Sequence, residues 1–225
     1  HYWKDTSYRA QATYAGENPP DGAVLTYWIG SAAPQATITV TDASGQTIRT
    51  LQSDATRGLH RTTWDLRYEP PQDDDDDDDD DPNDPRNRAL PRPTHDIGAR
   101  GAFAAPGTYT VTLQAGDATS TQTVEVRGDP MMPHITDAMH RERVAFLLGI
   151  AALQRRATAL ADRVEGQDEL AARLRRVSRG LGSLASDFNG GGVRPGTMHP
   201  PTETQQRVAS ELEAELAAVE REAGA

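Results

Sequence analysis

Pro106-Gly107-Thr108-Tyr109-Thr110-Val111-Thr112-Leu113 joins a glycine turn to a strict alternation of large apolar side chains and threonines. Successive side chains of a strand point to opposite faces, so Tyr109, Val111 and Leu113 share one face and the threonines the other. Gly116-Asp117 then turns the chain, and Thr119 to Val126 returns beside it. The same grammar recurs upstream. Asp42-Ala43-Ser44-Gly45 joins a run from Gln35 to Thr41, with Ala36, Ile38 and Val40 in phase, to a partner over Gln46 to Gln52 with Ile48 inward. Asp can bond its own turn backbone and Gly accepts a positive φ, which makes that tetrapeptide a tight turn. Arg57-Gly58 turns again before a strand over His60 to Leu66, with Trp64 at its core, and Ala23 to Ile29 is a further run of β-formers. With about seven short strands, the first half is expected to be an immunoglobulin-like antiparallel β-sandwich. Its core is expected from Ile38, Val40, Ile48, Trp64, Tyr109, Val111 and Leu113, its turns from Asp42, Gly45, Gly58 and Gly107.

Two composition shifts frame this region. Residues 1–21 are a polar, aromatic lead-in ending in a turn-rich stretch, and residues 69–100 interrupt the β pattern with nine consecutive aspartates and several prolines. Such a segment buries too little apolar surface to offset its ordering entropy, and it reads as an acidic loop insertion within a sandwich over 22–128. After Gly128-Asp129-Pro130 the period changes from two to between three and four. Thr136 is placed as an N-cap, and Met139, Phe146, Ile150, Leu153, Ala157, Leu160 and Val164 form a helical seam. Gly166 breaks it, and Leu170, Leu174, Val177, Leu181 and Leu184 repeat it. Thr202-Glu203-Thr204-Gln205 is a capping box for a third helix bearing Val208, Leu212, Leu216 and Val219. The expected fold is thus α+β by segregation, with a helical hairpin plus one helix over 129–225. Residues 137–180 hold nine arginines against six acids, and 202–225 two arginines against six glutamates. Packing the third helix on the hairpin therefore sets opposite charges side by side.

Composition bounds the function. A net charge of -11 over 225 residues disfavours nucleic acid or an anionic membrane as partner. With no cysteine, disulfides, thiolate catalysis and Cys-based zinc sites are excluded. No uninterrupted apolar run reaches bilayer length, so no transmembrane segment is expected. The start at His1, without Met or a signal-like segment, suggests a processed chain or a fragment.

The sharpest candidate site is the acidic run, Asp73, Asp74, Asp75, Asp76, Asp77, Asp78, Asp79, Asp80 and Asp81. Calcium takes six to eight oxygen ligands, but its loops interleave Gly and Asn to fold carboxylates inward, and a uniform run lacks those turns. A solvated loop is the better reading, with calcium the weaker one. The six histidines form neither a His-x-x-x-His pair nor a His-Glu-x-x-His motif. His60 reads as a packing or surface residue beside Trp64. His134 and His140, six apart, do not share a helical face. Asp65 or Glu69 could pair with the acidic run for carboxylate catalysis only if that loop were rigid, and Asp65 reads instead as a backbone-bonding residue at a strand end. Asn189-Gly190-Gly191-Gly192 neither follows a strand nor opens a helix, so it reads as a flexible connector and not a phosphate cradle. Tyr2, Trp3, Tyr8, Tyr14 and Trp28 remain as interaction candidates, for a neighbouring domain or for sugar. No catalytic residue and no cofactor is expected.

Gly16-Glu17-Asn18-Pro19-Pro20-Asp21-Gly22-Ala23-Val24-Leu25 resembles the entry to the C-terminal region of bacterial sortilin-like β-propeller proteins. These are large exported chains with Asp-box repeats, often labelled glycosyl hydrolases or sialidase-like proteins. The three hairpin pieces also resemble the immunoglobulin-like module of flagellar-hook capping proteins and of secretion-sorting tails. Asp129-Pro130, Asn189-Gly190, Arg194-Pro195-Gly196-Thr197 and Pro200-Pro201-Thr202 extend the likeness into the helical tail. The resemblance implies a periplasmic or extracellular accessory module beside a propeller. It brings no activity with it, because no Asp-box (Ser-x-Asp-x-Gly-x-x-Trp) and no sialidase arginine triad can be placed in this chain. The expected role is therefore a non-catalytic interaction module or structural subunit. The alternatives are a glycan-binding or glycan-active accessory domain and a calcium-responsive adhesion domain.

Overall fold

The computed structural model describes residues 22–70, 101–190 and 196–224. Two antiparallel sheets precede three helices, a mixed α+β architecture. Strands β1 (Ala23–Ile29) and β4 (Gly58–Trp64) pair as a two-stranded sheet. Strands β2 (Ala36–Thr41), β3 (Thr47–Ser53), β5 (Gly107–Ala115) and β6 (Ala118–Val126) form a second sheet in the order β3-β2-β5-β6. The described residues thus hold six strands, not seven. By contacts they divide into two units, 22–68 with 106–127 and 69–70 and 101–105 with 128–224.

In the β unit, Ile38, Val40, Ile48, Trp64, Tyr109 and Val111 are buried as their phase requires. Trp64 and Tyr109, on different sheets, meet edge to face at 5.3 Å, and the Trp64 indole donates to Arg67 O at 3.0 Å. That bond satisfies the one polar atom of a fully buried ring. Leu113 departs from expectation and is half-buried, near the hairpin end of β5 where the chain turns at Gly116.

Two turns show why their residues are needed. Asp42 Oδ1 accepts from Ser44 N at 2.9 Å, Ser44 Oγ at 2.6 Å and Gln46 N at 3.0 Å, while Gly45 takes φ +84°. Gly22, at φ +124°, leaves no room for a side chain, as a Cβ would lie 2.1 Å from Trp64 O. Gly107 is different. It opens β5 without a positive φ, and a Cβ there would touch nothing, so it is not the turn-fixing residue its sequence context suggests.

In the helical unit, α1 (Asp137–Ala161) is capped by Thr136 and runs into a 3₁₀ turn at Asp162–Val164. Gly166, at φ +79°, reverses the chain before α2 (Asp168–Asn189). The capping box at Thr202 and Gln205 starts α3 (Glu203–Ala223). Ile150, Leu153, Leu174, Val177, Leu181, Leu216 and Val219 join one core drawn from all three helices. Asp137–Val164 is long and apolar enough to cross a membrane by length and composition. Its apolar stripe is nonetheless packed against α2 and α3. Arg173 bridges Glu215 and Glu222, both at 2.7 Å, and Arg156 Nη2 meets Glu220 at 2.9 Å, so the charge asymmetry between hairpin and third helix is realised as ion pairs.

Candidate interaction surface

The β1–β4 sheet has a wet side and a dry side. Tyr27 and His60 are register partners on the half-buried side, with rings 5.4 Å apart. Both hold the connector from β3 to β4. Tyr27 Oη donates to Asp54 O at 3.0 Å, and His60 Nε2 lies 2.7 Å from Thr56 O, with Nδ1 3.5 Å from Asp54 Oδ2. Asp54 in turn accepts from Thr56 N at 2.8 Å and Thr56 Oγ1 at 2.7 Å. Those bonds, the backbone one foremost, hold its carboxyl below the ordinary aspartate value of 3.8.

The opposite side carries Val24, Trp28 and Leu59. Trp28 and Leu59 are directly opposed across the strand pair and are 62% and 68% exposed, with Val24 at 42%. Single exposed apolar residues are ordinary on a protein surface. A cross-strand tryptophan–leucine pair on a sheet whose reverse side is tied down is a pre-ordered patch of the kind that anchors interfaces.

Of the aromatics singled out from sequence, Trp28 is placed on this face, while Tyr2, Trp3, Tyr8 and Tyr14 lie outside the described residues. So do Asp73 to Asp81. Leu59 was missed by sequence reasoning, although the phase of Gly58 to Trp64 holds the signal. With Trp64 inward, the odd positions Leu59, Arg61 and Thr63 fall out of phase with it. Asp65 bonds backbone as expected, accepting from Arg67 N at 3.2 Å. Among the described residues no group of three or more His, Asp or Glu is placed to hold a metal.

The helical unit contains one polar constellation that sequence reading did not find. Arg143 is buried and its Nε donates to Thr197 O at 2.8 Å, its Nη2 to Phe188 O at 2.9 Å and to Asn189 Oδ1 at 3.4 Å. The guanidinium lies 5.9 Å from the centre of the Phe188 ring. Phe188 O also accepts from Thr197 N at 3.1 Å. A helix C-terminus exposes unpaired carbonyls and the negative end of its dipole, so a buried cation there is stabilised in place. Asn189 is the buried last residue of α2 and Gly190 its cap at φ +81°, while Gly191 and Gly192 of the expected connector lie outside the described residues. Burial first, then the charge of Arg143, pushes His140 below its ordinary 6.5, against a smaller upward pull from Asp137. The rings of His134 and His199 lie 5.8 Å apart, tilted by 35°. These contacts tie the first turns of α1 to the end of α2 and to the segment that leads into α3. The chain matches no protein-family model and no curated protein.

Proposed function

We propose that this chain is a non-catalytic interaction module, in which an immunoglobulin-like sandwich presents the Val24, Trp28 and Leu59 face to a protein partner and a three-helix unit follows it. The single observation that carries this reading is the opposed, exposed Trp28–Leu59 pair on a sheet held from behind by Tyr27 and His60. The sandwich is supported by the Trp64–Tyr109 contact between residues of the two sheets. The resemblance to sortilin-like tails favours an exported setting, periplasmic or extracellular, and a β-propeller domain as the partner. The test is co-purification from the native source. Wild type brings a defined larger complex, whereas Trp28→Ser with Leu59→Ser keeps its melting temperature and loses that complex. A complex retained by the folded double variant would remove this face from the interface.

A second reading has its own observation. The Trp28 indole reaches toward the end of β1, with Nε1 3.8 Å from where a Cβ at Gly30 would stand. Next to a glycine the indole meets little steric cover, which suits sugar stacking. Binding on a glycan array, abolished by Trp28→Ala, would favour a glycan-binding accessory domain instead.

A further inference from the structure

Among the described residues, strand β6 differs from every other strand in being exposed on both faces over Ala118 to Thr123. It is also the last strand in its sheet, and from Ala118 to Val124 it carries neither charge nor proline. Natural edge strands are usually protected by charges, prolines or bulges. The opposite edge of the same sheet has such a bulge, at Val40/Thr41 in the β2–β3 pairing. β6 pairs with β5 without a register break.

The hairpin fixes which backbone groups face outward. Ala115 and Ala118 flank a two-residue turn with Gly116 at φ +58°. In such a hairpin the flanking pair exchanges both its hydrogen bonds, and bonded pairs then recur at every second residue. Ser120, Gln122 and Val124 therefore bond inward to β5, while Thr119, Thr121, Thr123 and Glu125 turn their N–H and C=O to the open edge. The 3.3 Å approach of Thr121 Oγ1 to Thr112 Oγ1 agrees, since side chains come closest in the non-bonded pairs.

We propose that this edge pairs, antiparallel and about a two-fold axis, with β6 of a second copy of the chain, with Gln122 opposite Gln122. In that register Thr121 faces Thr123 of the second copy, Thr119 faces Glu125, and Asp117 faces Arg127. The outward backbone groups of both strands meet, and opposite charges close both ends. The neighbouring registers that keep those groups paired are disfavoured. With Thr121 on the axis, Asp117 opposes Glu125. With Thr123 on the axis, Asp117 opposes Asp129. Like charges directly opposite each other destabilise a strand pair, so charge selects the Gln122 register. Within one copy Arg127 reaches Glu125 at 2.7 Å, on a largely exposed surface from which it is free to swing to a second carboxylate. One strand pair is a small interface, so the dimer belongs to the weak, concentration-dependent class.

Sedimentation equilibrium of the full chain over a rising concentration series tests this. Wild type is expected to pass from monomer to dimer. Asp117→Arg and Arg127→Asp should each weaken the dimer by about tenfold, from like charges at both ends. The double variant Asp117→Arg/Arg127→Asp should return to within a few-fold of wild type. Thr121→Pro blocks the edge without removing a β5 bond, because that N–H faces outward, and should stay monomeric with an unchanged β-sheet circular dichroism. A wild type that remains monomeric throughout overturns the proposal. A dimer indifferent to the single charge reversals, or not rescued by the double one, overturns it equally, whatever Thr121→Pro does to folding.

Discussion

Gly22 and Arg143 are the positions where one atom decides most. At Gly22 a positive φ and the Trp64 carbonyl both forbid a side chain. Gly22→Ala is expected to destabilise the β unit by about 3 kcal/mol, from combined strain and overpacking. Urea unfolding followed by tryptophan fluorescence would measure this, and a loss under about 1 kcal/mol would mean that the backbone there relaxes freely. Arg143→Met keeps the length of the side chain and deletes its hydrogen bonds, leaving the Thr197 carbonyl and the α2 end under-satisfied. About 3 kcal/mol of helical-unit stability should be lost, read from the far-ultraviolet signal. Arg143 was not legible because a charged residue reads as outward-facing. Yet it falls on the stripe of Met139, Phe146, Leu147 and Ile150, where a cation among apolar residues marks a buried partner elsewhere in the chain. That partner, a pair of carbonyls around Phe188 and Thr197, has no sequence signature.

Elements were legible wherever one periodicity and one stop signal coincided. Because capping chemistry is local, Gly166 and the capping box at Thr202 delimit helices in which Leu170, Leu174, Val177, Leu181, Leu184, Leu216 and Val219 are buried as their spacing selects, while Val208 and Leu212 are half-buried. Strand phase was equally readable for Ile38, Val40 and Val111. Phase says which face a residue takes and not how far an opposing layer reaches, which is why Leu113 is only half-buried. The same limit hid β6, whose Thr-rich alternation could not reveal that both of its faces are wet. Thr202→Ala should lower helical-unit stability by about 1 kcal/mol through loss of the cap. Arg173→Ala, which breaks two partly exposed ion pairs, should change it by no more than about 1 kcal/mol and by less in high salt. A large salt-independent effect of Arg173→Ala would show that packing of its stem, not charge, joins α2 to α3.

At the scale of the whole molecule, titration links both units to pH. His140 has a folded value below 6.5, so the unfolded chain binds more protons near and below that pH. Its contribution is present above 6.5 and lost as pH falls through the depressed value. Glu215 and Glu220, lowered first by hydrogen bonds from Arg173 and Arg156, and Asp42, lowered first by Ser44, behave alike from ordinary values of 4.5 and 3.8. At the alkaline end burial, then Tyr68 and Asp42, pushes the Tyr109 hydroxyl up to about 12. Its contribution is complete below pH 10 and disappears as pH rises through that value. Melting temperature against pH should thus fall gently below 6.5, steeply below 4.5 and again in strong alkali, and His140→Phe should flatten the first decline alone. A first decline unchanged by His140→Phe would place its origin in another group. Two helical glycines, Gly149 and Gly182, face open space, with no atom within 4 Å of where a methyl group would stand and no positive φ. Alanine at both should therefore stiffen α1 and α2 and raise the helical unit's stability by about 0.5–1 kcal/mol each. Such a hardened background would let disruptive substitutions such as Arg143→Met be carried on a chain that still folds, so that lost assembly can be told apart from lost structure.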